Sequence, residues 1–116
     1  MLGAIAGDVI GSIYEFNNLD KSGYQSFALF SKDSDFTDDT VLTVATAHWI
    51  LNKVDPAKNY KRYYRAYPGR GYGARFCEWA GSKSLKPYNS FGNGSAMRVS
   101  PVSLAYNNIE DVLFYA

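Results

Sequence analysis

Apolar residues in this chain recur at three- and four-residue intervals, and no stretch alternates with the two-residue period of a half-buried strand. Leu2, Ile5, Val9 and Ile13 share one face of a first helix predicted over residues 2–15. Gly3, Gly7 and Gly11 form a second stripe along it. Each glycine costs about 1 kcal/mol relative to alanine inside a helix, so three at this spacing predict that something approaches the backbone closely. Asp8 and Glu15, seven residues apart, fall on one face beside Gly11 and Ser12.

Start and stop signals divide the rest of the chain. Thr37 is a good N-cap, and Asp38 and Asp39 complement the positive end of a helix dipole, so a second helix is predicted to about residue 52. Its buried face is Val41, Val44, Ala45, His48 and Trp49. Asp55-Pro56 opens a third helix, with Asp as N-cap and Pro at the first helical position. Tyr60, Tyr63, Tyr64 and Tyr67 lie on one side of it, and Lys58, Lys61, Arg62 and Arg65 cover the other; Pro68-Gly69 ends it. Gly71-Tyr72-Gly73 is a tight turn into a short helix carrying Phe76, Cys77 and Trp79. Residues 17–35 and 81–94 read as long loops, the first with a short turn around residues 27–30. Ser95 opens another helix, bent near Pro101, and Asn108 caps a last one through Ile109, Glu110 and Asp111. The fold class is therefore all-α, in a single domain over residues 1–116. The last residues carry no Gly, Asn or Pro punctuation, the expectation for a truncated chain.

Composition excludes several function classes. Aromatic residues make up 16% of the chain, which is incompatible with a disordered segment. A net charge of +1 gives no strong global field to steer nucleic acid or an anionic membrane, which leaves room only for a local basic patch. The single cysteine, Cys77, cannot form an internal disulfide, and a reducing, cytoplasmic location fits it. The glycines and Asp8 break the first apolar stretch, so it reads as neither a signal peptide nor a membrane span.

Four features can carry chemistry. Thr37, Asp38 and Asp39 offer hard oxygen ligands from one rigid point, as Mg²⁺ or Ca²⁺ requires; a well-capped helix with acids in its first turn explains them equally. Gly92, Asn93, Gly94 and Ser95 run into a helix start, where free N–H groups suit a phosphate or merely form a cap. Arg70, flanked by Gly69 and Gly71, can meet a phosphate or a partner carboxylate. Glu15 and Asp8 can position a water or act as a base, or form a solvated face. His48 reads as a hydrogen-bonded core residue, and the tyrosine stripe as core or as a stacking surface for a base or a partner protein.

Together and in this order, the four features resemble the ADP-ribosylglycohydrolase family. Gly3-Ala4-Ile5-Ala6-Gly7-Asp8-Val9-Ile10-Gly11 followed by Glu15 is similar to its opening helix, and Phe36-Thr37-Asp38-Asp39-Thr40 to its first metal motif. Residues 68–73 and 89–102 resemble its later signatures. The resemblance implies an orthogonal helical bundle that holds two Mg²⁺ ions and cleaves the glycosidic bond between ADP-ribose and a modified side chain. It implies Thr37, Asp38 and Asp39 as metal ligands, Glu15 as a catalytic or positioning carboxylate beside the ribose, and Gly92, Asn93, Gly94 and Ser95 around the diphosphate. Family members are more than twice this long, and their downstream half adds a His-containing segment and a late Asp-x-Asp-Thr motif. Nothing after Arg98 matches that motif. The resemblance leaves three expectations: a site completed by a second subunit of a homo-oligomer or by a separate chain, a shortened, non-catalytic protein-binding or inhibitory module, or a fragment of a longer enzyme.

Overall fold

A computed structural model describes residues 1–15 and 29–116. These residues form α1 (Leu2–Gly11), α2 (Asp38–Asn52), α3 (Pro56–Ala66), α4 (Ala74–Gly81), α5 (Gly94–Met97), α6 (Ser100–Ala105) and α7 (Ile109–Tyr115), with no strand among them. The all-α reading holds. The expected loop over residues 17–35 and its turn lie mostly outside the described residues.

Three of the four helix starts that local chemistry predicts are formed as expected; the fourth, at Ser95, falls one residue earlier, at Gly94, with no side-chain cap. Thr37 caps α2, Asp55 accepts from the Lys58 amide at 2.8 Å with Pro56 behind it, and Asn108 accepts from the Asp111 amide at 2.7 Å. Central in the fold, α2 packs against α1, α3, α5 and α6, while α4 docks on α3 and α7 on α6. The core joins Leu42 of α2 to Phe76 and Ala80 of α4, with Tyr60, Tyr64, Tyr72 and Trp79 packed around them. Burial of such aromatic and aliphatic surface supplies the main driving force for a domain of this size. His48 is hydrogen-bonded, its Nδ1 2.8 Å from Asn59 Oδ1, but like Val44 and Trp49 it is only partly buried; the buried face of α2 is Val41, Leu42, Thr43, Ala45 and Thr46.

Several local expectations are corrected. The first helix ends at Gly11 and does not reach Glu15. Ser12 turns its hydroxyl back onto the Val9 carbonyl at 2.9 Å, a local bond that competes with helix propagation. A Cβ built on Gly3, Gly7 or Gly11 meets nothing within 4 Å, so none of the described residues approaches the glycine stripe. Lys61 does not sit on the polar side of α3. It is only 4% exposed, and its Nζ donates to the carbonyls of Trp79 and Ser82, closing the C-terminal end of α4. The tyrosine stripe divides: Tyr60 and Tyr64 face the core, whereas Tyr63 stacks on Tyr67. The helix expected to bend at Pro101 is two helices, and Pro101 sits in the first turn of α6, where its missing N–H costs no hydrogen bond.

Candidate active site

Helix starts leave N–H groups without partners, and the start of α2 is satisfied from three directions. Asp8 of α1 accepts from the Thr37 amide at 2.9 Å and the Thr40 amide at 3.1 Å through one oxygen, and from the Thr37 hydroxyl at 2.6 Å through the other. The Asp38 amide donates to the Arg70 carbonyl at 2.7 Å. Ser12 accepts from the Asp35 amide at 3.1 Å. Asp8 thus straps α1 to α2. Sequence reasoning named it as a possible base; no local pattern reveals a contact across 29 residues.

The Arg70 turn is shaped by Gly69 and Gly71, which lie at φ +73° and +88°. Its guanidinium pairs with the Asp35 carboxylate, donates to the Phe36 carbonyl at 3.2 Å and lies 3.8 Å from the centre of the Phe36 ring. Arg70 thus meets a carboxylate, one of the two partners the sequence left open for it.

These contacts gather acids at one place, and their protonation records the crowding. Burial, then the charges of Asp39 and Glu15, push the half-buried Asp38 carboxyl up to about 6. Asp39 is raised by burial and then by Asp8, and Glu15 by burial and then by Asp39 and Asp8. Glu15 therefore remains within electrostatic reach of the motif although it lies outside α1. The Tyr72 hydroxyl is pushed up to about 12, by burial first and the Asp38 charge second. Uncompensated negative charge with oxygen donors is the chemistry a hard divalent cation neutralises, so Thr37, Asp38 and Asp39 fit Mg²⁺ in kind. In number they fall short. Among the described residues no three His, Cys, Asp or Glu side chains converge on one ion position.

Beside this cluster lies a cavity of about 730 Å³, large enough for a nucleotide-sized ligand. Its lining includes Asp38, the rings of Tyr60, Trp79, Tyr88 and Phe91, the side chains of Arg75 and Arg98, and all of Gly92, Asn93, Gly94 and Ser95. Arg98 lies 4.5 Å from the Tyr60 ring centre, and Arg75 lies 5.8 Å from that of Phe91, which is 98% exposed. Helix α5 begins without a side-chain cap, and Gly92 donates its amide to the Ser90 hydroxyl at 3.2 Å. The structure therefore brings Asp38 and the Gly92–Ser95 segment to one cavity; Arg70 and Glu15 are not in its lining. Arg75 and Tyr88 escaped the sequence reading, and Trp79 entered it only as part of a short helix. The interleaving of basic and aromatic residues between 75 and 91 is the signal that could have found them.

Comparison with known proteins gives this geometry a family. The family described as ADP-ribosylglycohydrolase matches residues 1–116. ADP-ribosylhydrolase ARH3 of Mus musculus is 30% identical over all of this chain and 40% of its own length. The Homo sapiens and Xenopus tropicalis proteins of the same name are 30% and 31% identical, each over 41% of its length. The chain thus spans about two-fifths of the curated relatives it matches. No solved structure matches it.

Proposed function

Because the chain belongs to the ADP-ribosylglycohydrolase family, we propose that its cavity binds ADP-ribose and that its acidic motif forms part of a Mg²⁺ site for cleaving the glycosidic bond of ADP-ribosylated substrates. One observation carries this reading: Asp38 and the Gly92–Ser95 segment, far apart in sequence, line a single cavity. A ligand with a diphosphate near Gly92, Asn93, Gly94 and Ser95 would have its ribose within reach of the acids. Thr37, Asp38 and Asp39 would hold the cation, which when bound would polarise and orient a water or a substrate oxygen. Glu15, its carboxyl raised above the usual range, suits the role of a base or positioning group beside the ribose. The aromatic walls would exclude water and stack on the base. Further ligands would come from polypeptide equivalent to the rest of the relatives, in the same chain or from a second subunit.

A second reading is favoured by Leu104, Ile109, Leu113 and Phe114 on α6 and α7, each exposed over about two-thirds of its surface or more. Such a surface suits a protein partner or another copy of the chain, so a binding module without hydrolysis is the alternative. The cytoplasmic location belongs to this proposal as well. Among the described residues no helix is long and apolar enough to cross a membrane.

Calorimetric titration with ADP-ribose, in Mg²⁺ and then in chelator, tests the first reading. Saturable binding that needs Mg²⁺ and disappears in Asp38→Ala supports it. Absence of binding in both conditions removes it and leaves the protein-binding alternative.

A further inference from the structure

Arg70 reaches the acidic motif twice, once through its backbone and once through its side chain. Its carbonyl accepts the Asp38 amide, the first orphan donor of α2. Its guanidinium holds the two residues before the N-cap: the Asp35 carboxylate, and the carbonyl and ring of Phe36. Asp35 in turn accepts from the Phe36 amide at 2.8 Å and donates its own amide to Ser12. On the other side, Phe36 packs edge-on against Tyr67, and the Tyr72 hydroxyl closes the turn on the Tyr67 carbonyl at 2.8 Å. A Cβ on Gly71 would lie 3.6 Å from the Asp38 carboxylate, so the turn lies directly against that side chain.

We propose that Arg70 is a positioning residue that clamps the 35–39 segment so that Thr37, Asp38 and Asp39 present their oxygens together to a divalent cation. The inference deepens the proposed function and rests on its assignment of those three residues to metal. An exposed ion pair alone contributes little, because water screens it. Here Nη1 makes both the ion pair and the carbonyl hydrogen bond while the planar group lies on the Phe36 ring, and a planar, delocalised guanidinium suits that combination better than a compact ammonium. Because the same residue also holds the Asp38 amide, the turn and the helix start cannot slide past each other.

Amide hydrogen exchange measured by NMR, together with titration of Mg²⁺ alone, tests the clamp. Arg70→Met keeps an aliphatic stem over Phe36 and removes the fork. We expect it to lower protection of the Asp38 amide by about tenfold or more, leave the amides of α4 unchanged, and weaken Mg²⁺ binding by a similar factor. Arg70→Lys, which restores the charge without the fork, should fall between the two. Asp35→Asn removes the ion pair while leaving the Arg70 turn intact and should reproduce the loss. Wild-type protection at Asp38 in Arg70→Met, or in Asp35→Asn should the first variant fail to fold, overturns the clamp. A native protein that binds no Mg²⁺ overturns the metal assignment instead, so the two failures are distinguishable.

Discussion

Asp38 and residues 90–94 line the same cavity, yet the segments that carry them are held by different forces. Residues 35–40 are fixed by Asp8 from α1, Ser12 beyond it and Arg70 from the turn after α3, all through directional hydrogen bonds. Residues 82–94 rely on short-range links such as Lys86 to Ser84 and Gly92 to Ser90, with Trp79 Nε1 reaching the Lys86 carbonyl at 2.9 Å. Rings do the rest: Trp79 lies 5.9 Å from Tyr88, and Arg75 spans Tyr88 and Phe91. Acids that repel one another keep a fixed arrangement only where donors hold them. Ring contacts are less directional and let a wall adjust to what it meets. The contrast assigns the motif to preorganisation and the wall to fit.

Breaking the rigid side should have the largest effect. Asp8→Ala leaves the amides of Thr37 and Thr40 and the Thr37 hydroxyl without their acceptor. Partly offset by relief of charge repulsion, the loss should be about 2–3 kcal/mol in urea denaturation. A change below about 0.5 kcal/mol would mean that the start of α2 is not held by this strap. The wall should behave in the opposite way. Phe91→Ser removes a 98% exposed ring and should leave stability within about 0.5 kcal/mol. ADP-ribose affinity should nevertheless fall about tenfold, because a stacking platform is lost. Equal affinity in calorimetry would take Phe91 out of the site.

How far the sequence could show this contrast depended on the range of each contact. Thr37, Asp55 and Asn108 cap helices through residues two or three positions away, and all three were legible. So were the hydrogen-bonded state of His48 and the pairing of acids at the start of α2. Lys61 was not, because its burial depends on where α4 ends against α3, a contact spanning 18 and 21 residues. The convergence of Arg75, Trp79 and Tyr88 on one cavity depends on the same docking. Arg70 was half legible: its flanking glycines marked a turn, but only packing brings its guanidinium to Asp35 and Phe36. The Gly3, Gly7 and Gly11 stripe remains without a neighbour among the described residues.

Protonation sharpens the contrast further, since the rigid side carries the strained charges. Asp38, pushed up to about 6, binds its proton more tightly in the fold than in the unfolded chain. Its ionised form therefore costs stability above that value, and the cost is relieved as pH falls through 6 toward the unfolded value. Asp39 and Glu15, also raised, act in the same direction. Asp35 has the opposite sign. Its hydrogen bonds to Arg70 and the Phe36 amide hold it below the usual range, so its contribution is lost only under more acidic conditions. In chelator, the urea midpoint should rise between about pH 7.5 and 5. Asp38→Asn should flatten that rise and stabilise the protein near neutral pH by about 1 kcal/mol, a figure reduced for solvent screening of a half-exposed group. A midpoint that falls over this range would show that the acids are not crowded in solution.

The smallest effect provides the control for the whole contrast. Lys53 closes α2 at φ 53° and ψ 36°, a left-handed conformation that a side chain disfavours and glycine does not. Lys53→Gly should stabilise the protein by about 0.5 kcal/mol, the relief of strain exceeding the extra entropy glycine gives the unfolded chain. The substitution lies at the far end of α2 from Asp38 and touches neither the acidic segment nor the aromatic wall. Affinities for Mg²⁺ and ADP-ribose should therefore stay unchanged while the urea midpoint rises. If both affinities rose with it, the global stability of α2, and not the local strap at its start, would set binding, and the distinction between a held motif and an adaptable wall would lose its meaning.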